Sequence, residues 1–212
     1  RPAIWKRLGG SLQVDVSSGG ISLCLPVSDN AIAQPTEHKY SCLLFNARSL
    51  LANITDFQNA MYGDNYDVIM VTETWLNSNI PNSFLDFRGL YEFLRCDRQI
   101  TVGGGACVAI KKSLRSCTVS IDATDLELVA VDIFGCNFKF RVVTVYRPPY
   151  YNETARSSAL VLCDEMSRLS SVKWPCFIVG DFICPNICWA NCSAPNEGIQ
   201  DIVLRLINEN NF

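Results

Sequence analysis

The sequence predicts an α/β fold in which a mixed β-sheet packs against helices. From residue 40 onward, apolar runs of strand length alternate with segments of helical period. Two strands flank Gly135-Cys136-Asn137 and are predicted to form a hairpin, whereas other strands are separated by helices. Because hairpins join antiparallel strands and helical crossovers join parallel ones, we expect both kinds of pairing in the sheet.

Six strands are predicted from short runs rich in β-branched and aromatic residues. They are 41–45, 66–72, 105–111, 126–134, 138–146 and 176–179.

Three helices are predicted from apolar residues at helical spacing. The first ends near Gly63, the second covers residues 153–170, and the third follows Gly198. The second has Leu160, Cys163, Met166 and Leu169 as its expected buried stripe.

The composition suits one domain with a sizeable core. The chain has 212 residues, 49% hydrophobic and 18% charged, which excludes a wholly disordered chain. Its net charge of −3 gives no global sign of nucleic-acid binding, so such binding needs a local basic surface. The apolar runs are too short for a membrane span and no signal segment opens the chain, so we expect an intracellular protein without a membrane partner.

Residues 1–39 differ from the rest because they are rich in glycine, serine and proline and have no sustained period. We expect a linker or a poorly ordered extension there, and one folded domain over residues 40–212. The first residue is Arg1 rather than Met, which indicates a fragment or a processed product.

Eleven cysteines cannot all pair within one chain, and several lie inside predicted strands and helices. We therefore expect reduced thiols that behave as small buried hydrophobes. Cys184, Cys188 and Cys192 raise the possibility of zinc, but their four-residue spacing is wrong for a C-x-x-C site.

Four polar residues share one position, the carboxyl end of a predicted core strand: Asn46, Glu73, Tyr146 and Asp181. Each has an ordinary structural explanation, respectively a helix N-cap, a solvated loop acid, a core aromatic and a turn residue. Strand ends that gather at one edge of a sheet nevertheless form a polar site on an apolar scaffold. The joint pattern therefore favours a functional site.

Five blocks, in order along residues 40–212, resemble the endonuclease/exonuclease/phosphatase superfamily. Within it they are most similar to the apurinic-endonuclease-like domain of non-LTR retrotransposons, for which the ETWL, GGG, YRPP and GDF parts are typical. The blocks are LLFNARSL (43–50), VTETWLNSNIP (71–81), CDRQITVGGGACVAIKKSL (96–114), VTVYRPPY (143–150) and FIVGDFICPNICW (177–189).

The resemblance implies a four-layered α/β sandwich with mixed sheets and Mg²⁺-dependent (or Mn²⁺-dependent) hydrolysis of a phosphodiester. In such elements the reaction nicks target DNA and leaves a 3′-hydroxyl that primes reverse transcription. The implied partners are therefore target DNA and the reverse-transcriptase domain of a parent polyprotein, and the implied location is the nucleus.

The resemblance also assigns roles to the strand-end residues. Glu73 is the implied metal ligand, and Asn46 lies beside it to position metal or phosphate. Tyr146 is the implied hydrogen-bond donor to the phosphate, and Asp181 the general base that activates water.

Arg147 and Arg98 follow from the same resemblance as candidate phosphate contacts, because guanidinium binds phosphate through two donors. Surface salt bridges explain both arginines equally well.

Two departures from the family pattern predict weak or absent activity. Ile183 stands where the family has an asparagine that donates to the phosphate, and losing one such donor typically costs roughly 10²–10³ in rate. The family's C-terminal Ser-Asp-His block and the strand before it are absent from a sequence that ends NENNF, and His38 lies ahead of the first predicted strand. We expect a fold incomplete at its C-terminus, with an unpaired sheet edge.

Two alternatives stay open at this point. One is a catalytically dead scaffold that binds nucleic acid or protein, which Ile183 favours. The other is a phosphomonoesterase of the same superfamily, since those enzymes share the Glu and the Asp.

Overall fold

The computed structural model describes residues 3–7, 13–17, 20–25, 38–99, 102–123, 125–135, 138–149, 153–184, 186–188, 191, 193–194 and 198–209. The sequence-based expectations for residues 136–137 and for Cys192 fall outside these ranges.

Each predicted strand and helix has a counterpart in the structure. The strands Tyr91–Cys96 and Arg115–Val119 and the short helix Asn82–Leu85 lie where no element was predicted. The strands are β1 (Ala3–Arg7), β2 (Gln13–Ser17), β3 (Gly20–Leu25), β4 (His38–Asn46), β5 (Val68–Thr72), β6 (Tyr91–Cys96), β7 (Ala106–Lys111), β8 (Arg115–Val119), β9 (Glu127–Phe134), β10 (Lys139–Tyr146) and β11 (Cys176–Asp181). The helices are α1 (Ile54–Tyr62), α2 (Asn82–Leu85), α3 (Glu153–Ser170) and α4 (Ile199–Glu209).

The strands form two mixed sheets. One has the order β1-β11-β10-β9-β8 and the other the order β2-β3-β4-β5-β7-β6. The pairs β4–β5 and β10–β11 are parallel, whereas β9 and β10 form the predicted antiparallel hairpin. The expectation of both kinds of pairing is confirmed.

Three hydrophobic clusters define four layers. Tyr40, Val108, Phe140 and Phe177 belong to the cluster between the two sheets. A second cluster packs α3 and α4 on the outer face of the first sheet, and a third packs α1 and α2 on the outer face of the second. The order helix, sheet, sheet, helix confirms the four-layered sandwich, because each sheet buries both of its faces.

Residues 1–39 contribute strands to both sheets, which the predicted linker or poorly ordered extension did not foresee. β1 pairs antiparallel with β11, and β3 pairs antiparallel with β4. The expected unpaired edge is therefore not found at β4 or β11. An open strand edge accepts any segment that can satisfy its backbone groups. The division of the chain at residue 39 stays a prediction.

Two details of the predicted elements need correction. His38 is the first residue of β4 rather than a residue ahead of the core, so about 26 Å of strand separates it from Asn46. In α3, Leu160 is 49% exposed, and Leu162 joins Cys163, Met166 and Leu169 in the buried cluster. None of the helices among the described residues is long and apolar enough to span a membrane.

Candidate active site

The strand ends that carry the predicted site residues meet at one edge of the sandwich. β4 and β5 run parallel, with Asn46 opposite Thr72, so Glu73 follows directly beside Asn46. β10 and β11 also run parallel, with Tyr146 opposite Asp181. Parallel neighbours end at the same edge, and here two such pairs from the two sheets face each other.

Asn46 joins the two carboxylates of the site. Its Nδ2 donates to Glu73 Oε1 at 2.8 Å and also to Asp181 Oδ2. Its own Oδ1 accepts the Arg48 backbone N–H at 3.1 Å, which fixes the amide orientation. Thr72 Oγ1 also donates to Asp181 Oδ2, at 3.4 Å. Asn46 is therefore a bridge between acids and not the N-cap of α1, which begins eight residues later at Ile54.

Tyr146 lies in the same site and is 7% exposed. Burial raises the pKa of Tyr146 to about 12, and the carboxylate of Glu73 adds to the rise; Arg98 opposes it, while Glu127 and Asp181 favour it. The phenol is thus protonated at neutral pH and is a hydrogen-bond donor there.

The backbone is strained at this edge. Arg48, Ser49, Glu73, Trp75 and Ile183 have positive φ. Among the described residues, one further non-glycine residue has positive φ, Asn65, and it lies near the opposite end of β5. Such conformations cost of order 1–3 kcal/mol each and cluster at functional sites, where the surrounding structure maintains them. The strain is a second, independent mark of the site.

Ile183 has φ +44°. A β-branched residue is a genuine outlier there, whereas asparagine enters the left-handed region readily. The isoleucine that departs from the family pattern is therefore also unfavourable for the backbone that it occupies.

Arg147 is buried and binds main-chain carbonyls. Its Nε donates to Phe182 O at 2.6 Å, its Nη2 to Ile183 O at 2.7 Å, and its Nη1 to Pro148 O at 3.1 Å. These bonds hold the turn that follows Asp181. A surface salt bridge, the alternative explanation from sequence, does not fit a residue that is 6% exposed.

Arg98 forms a two-nitrogen ion pair with Glu127, at 2.8 Å from Nε and 2.5 Å from Nη2 to Oε1. The two side chains are 17% and 14% exposed, so the pair is partly buried. The predicted phosphate contacts of both arginines stay predictions.

The donor atoms at the site suit a hard divalent cation. Glu73 and Asp181 supply carboxylate oxygens, the ligand type that Mg²⁺ and Mn²⁺ prefer, and the Asn46 amide nitrogen donates to both of them. The described residues contain no group of three or more His, Cys, Asp or Glu placed to hold a metal. Mg²⁺ needs only one or two protein carboxylates, so the residues present fit it. Cys184 and Cys188 are free thiols, which gives no support to zinc.

Two contributors escaped the sequence reasoning, Thr72 and Glu127. Glu127 opens β9 and pairs in register with Tyr146. The predicted hairpin did not give this pairing, because strands flanking residues 135–137 would pair Tyr146 with Leu126, one residue away from the observed register.

Comparisons with known proteins agree with this architecture. The AP endonuclease of Archaeoglobus fulgidus is similar in structure at TM-score 0.60 and 12% identity, covering 79% of this chain and 70% of that chain. The AP endonuclease LMAP of Leishmania major is similar at TM-score 0.59 and 14% identity, covering 81% and 67%. The endonuclease domain of TRAS1, a telomere-specific non-LTR retrotransposon, is similar at TM-score 0.57 and 13% identity, covering 81% and 72%. At these identities the likeness establishes the fold alone.

No curated protein matches the sequence. The sequence profile of the Endonuclease/Exonuclease/phosphatase family matches residues 43–182, which include all four strand-end residues. Members of this superfamily are nucleases or phosphatases that generally depend on divalent metal ions. The match covers more than half of the chain, and the chain therefore belongs to the endonuclease/exonuclease/phosphatase family.

Proposed function

We propose that this chain is the DNA-nicking endonuclease domain of a non-LTR retrotransposon and hydrolyses phosphodiesters with Mg²⁺ or Mn²⁺, at a rate lowered by Ile183. The observation that carries the proposal is the Asn46 amide, which donates to both the Glu73 and the Asp181 carboxylates at one sheet edge. Metal-assisted phosphodiester hydrolysis requires at least one carboxylate that binds the metal and a second that activates the attacking water.

The roles follow from the local chemistry. Asp181 accepts hydrogen bonds from Asn46 and Thr72, which orient its carboxylate for the role of base toward the attacking water. Tyr146, protonated at neutral pH, donates to a phosphate oxygen. Glu73 would hold the metal, with the Asn46 amide orienting its carboxylate. A bound divalent ion supplies charge stabilisation at the phosphate and the leaving oxygen.

Ile183 accounts for the lowered rate. An isoleucine has no side-chain donor, and one preorganised donor at such a site is worth roughly 10²–10³ in rate. The Tyr146 hydroxyl remains as a donor to the phosphate, so we expect slow hydrolysis rather than none.

DNA as the substrate, and the reverse-transcriptase domain as the partner in a parent polyprotein, are supported by the ETWL and YRPP blocks. The fold shared with the TRAS1 endonuclease domain is consistent with both. A nuclear site of action follows from this proposal, since the target is chromosomal DNA.

A plasmid-nicking assay tests the proposal. Purified protein is incubated with supercoiled plasmid in Mg²⁺, Mn²⁺ or EDTA, and open-circle DNA is measured over time. We expect slow nicking that requires metal, is abolished by Glu73→Gln and Asp181→Asn, and rises about 10–100-fold in Ile183→Asn. Glu92→Gln is the matched control, because Glu92 is an exposed strand carboxylate whose contact is Ser116.

Three results would contradict the proposal. An unchanged nicking rate in Glu73→Gln would contradict the role of Glu73 as the metal ligand. Release of phosphate from a monoester, without nicking, would favour the phosphomonoesterase. Metal-independent DNA binding with no nicking, even in Ile183→Asn, would indicate a binding scaffold.

A further inference from the structure

The ion pair between Arg98 and Glu127 lies beside the carboxylate edge of the site, and the proposed chemistry does not use it. The Arg98 guanidinium lies 5.7 Å from the centre of the Tyr146 ring. Arg98 occupies only one of the two Glu127 carboxylate oxygens, Oε1. The other oxygen, Oε2, accepts the backbone N–H of Gly105. Glu127 therefore joins a charged side chain to the glycine turn Gly103–Gly105, which we call the GGG turn.

The GGG turn is shaped to fit against this pair. Its glycines have φ of +102°, +70° and +86°, a region that other residues enter at a cost. A methyl group at Gly104 would overlap both the Glu127 carboxylate and the Arg98 guanidinium. The turn can approach the ion pair this closely only because it lacks side chains.

The GGG turn in turn holds the segment that carries the proposed metal ligand. Gly104 O accepts the N–H of Trp75 at 3.0 Å, and Gly105 O accepts the N–H of Thr74 at 3.5 Å. Trp75 has φ +53°, so these bonds support a strained conformation.

The same segment then supports the turn after β4. Glu73 O accepts the Ser49 N–H at 3.0 Å, and Thr74 O accepts the Leu50 N–H at 2.9 Å. A continuous series of hydrogen bonds thus runs from Glu127, through the GGG turn and the Glu73 segment, to the turn that follows Asn46.

We propose that Glu127 and Arg98 are positioning residues of this site, which fix the Glu73 segment through the GGG turn. The expected effect on metal affinity rests on the proposed function, whereas the hydrogen-bonded connection from Glu127 to the Glu73 segment does not. A carboxylate suits this task because one oxygen binds the guanidinium while the other receives the Gly105 N–H. Charge-assisted hydrogen bonds of this kind are about twice as strong as neutral ones.

The chain contains a control ion pair whose carboxylate lies on the same strand as Glu127, β9. Arg141 donates to Asp132 from Nε at 2.7 Å and from Nη2 at 3.0 Å, and this pair is also buried. Asp132 lies five residues along β9 from Glu127, roughly 17 Å away. Removal of Asp132 takes a carboxylate partner from Arg141 and Lys139, as removal of Glu127 takes one from Arg98, but far from the Glu73 segment.

The first experiment measures amide hydrogen exchange in the full chain for wild type, Glu127→Ala, Glu127→Gln and Asp132→Ala. In Glu127→Ala we expect exchange at Trp75, Ser49 and Leu50 to accelerate about tenfold or more, as for loss of a hydrogen bond to a charged group. Glu127→Gln keeps an acceptor for Gly105 and should restore part of the protection. Asp132→Ala should leave these amides unchanged. If Glu127→Ala protected these amides as well as Asp132→Ala does, the proposal would be overturned.

The second experiment measures binding of Mn²⁺ alone by calorimetry with the same variants. We expect about tenfold weaker binding in Glu127→Ala, an intermediate value in Glu127→Gln, and wild-type affinity in Asp132→Ala. Undiminished binding in Glu127→Ala would overturn the link to the metal. Failure of the wild type to bind Mn²⁺ would instead contradict the proposed function, and the exchange rates would still decide whether Glu127 positions the segment.

Discussion

The two carboxylates of the site stand on turns that are supported in different ways. The Glu73 turn is held almost entirely by main-chain bonds: Thr72 O, Glu73 O and Thr74 O accept N–H groups from residues 47, 49 and 50, at 2.9, 3.0 and 2.9 Å. In the Asp181 turn, the Arg147 N–H donates to Asp181 O at 2.8 Å, and the Arg147 side chain adds bonds to Phe182 O and Ile183 O at 2.6 and 2.7 Å.

The residues before the two acids differ as well. Thr72 precedes Glu73 as an ordinary strand residue, whereas Gly180 precedes Asp181 with φ +137°. The Glu73 turn therefore distributes these bonds over several peptide groups, whereas in the Asp181 turn two of the bonds are concentrated on one arginine side chain. A single substitution should damage the second turn far more than the first.

The largest effect is expected at Gly180. A methyl group there would overlap the backbone of Val145 in the neighbouring strand, which cannot move without breaking the sheet. We expect Gly180→Ala to lower the free energy of unfolding by about 3 kcal/mol or more, measured by urea denaturation.

Gly89→Ala is the control that measures the cost of positive φ without a close contact. Gly89 also has positive φ, +67°, but a methyl group there meets only Lys112 Nζ, at 4.0 Å. Left-handed strain by itself should cost about 1–2 kcal/mol. Equal losses in the two variants would show that close approach to Val145 is not what makes Gly180 special.

The next effect is expected at Arg147. Arg147→Met leaves the carbonyls of Phe182 and Ile183 without the guanidinium, and we expect a loss of roughly 2–3 kcal/mol in unfolding free energy. Nicking should fall by more than the stability loss explains, because the Asp181 turn loses its support. Measurement of denaturation and of nicking at a temperature where the variant remains folded separates the two effects.

Arg95→Met provides the comparison on the Glu73 side. Arg95 donates to Ile80 O at 2.7 Å and Asn77 O at 2.9 Å, in the loop that follows the Glu73 turn. We expect a similar loss of stability with little change in nicking rate. If Arg95→Met reduced nicking as strongly as Arg147→Met, the contrast between distributed and concentrated support would be wrong.

Much of this site was predictable from sequence because it depends on strand ends. The ends of β4, β5, β10 and β11 follow from short apolar runs, and the polar residues at those ends follow directly. Sequence reasoning placed Asn46, Glu73, Tyr146 and Asp181 at one edge, and the structure brings them there.

Partners determined by tertiary contacts were not predictable. The partners that matter at the site are distant in sequence, since Arg147 binds carbonyls 35 and 36 positions away, besides that of the next residue, and Arg98 binds a carboxylate 29 positions away. The strands within residues 1–39 were missed for the same reason, because their pairing depends on edges of β4 and β11 and not on their own composition.

The buried face of α3 was misplaced for a geometric reason. Residues spaced strictly by three drift around a helix of 3.6 residues per turn, so Leu160 and Leu169 lie about half a turn apart. Leu169 is fully buried, and Leu160 therefore faces outward at 49% exposure.

The smallest effect on stability, and the most informative one, is expected at Ile183. The Arg147 bond to Ile183 O holds this residue at φ +44°, so the concentrated support of the Asp181 turn sustains the strain. Ile183→Gly removes the strain without adding a donor, and Ile183→Asn both lessens the strain and adds one. We expect each to raise the free energy of unfolding by about 1 kcal/mol, while only Ile183→Asn raises the nicking rate. A rate gain of equal size in Ile183→Gly would mean that backbone strain, and not the missing donor, limits catalysis at this turn.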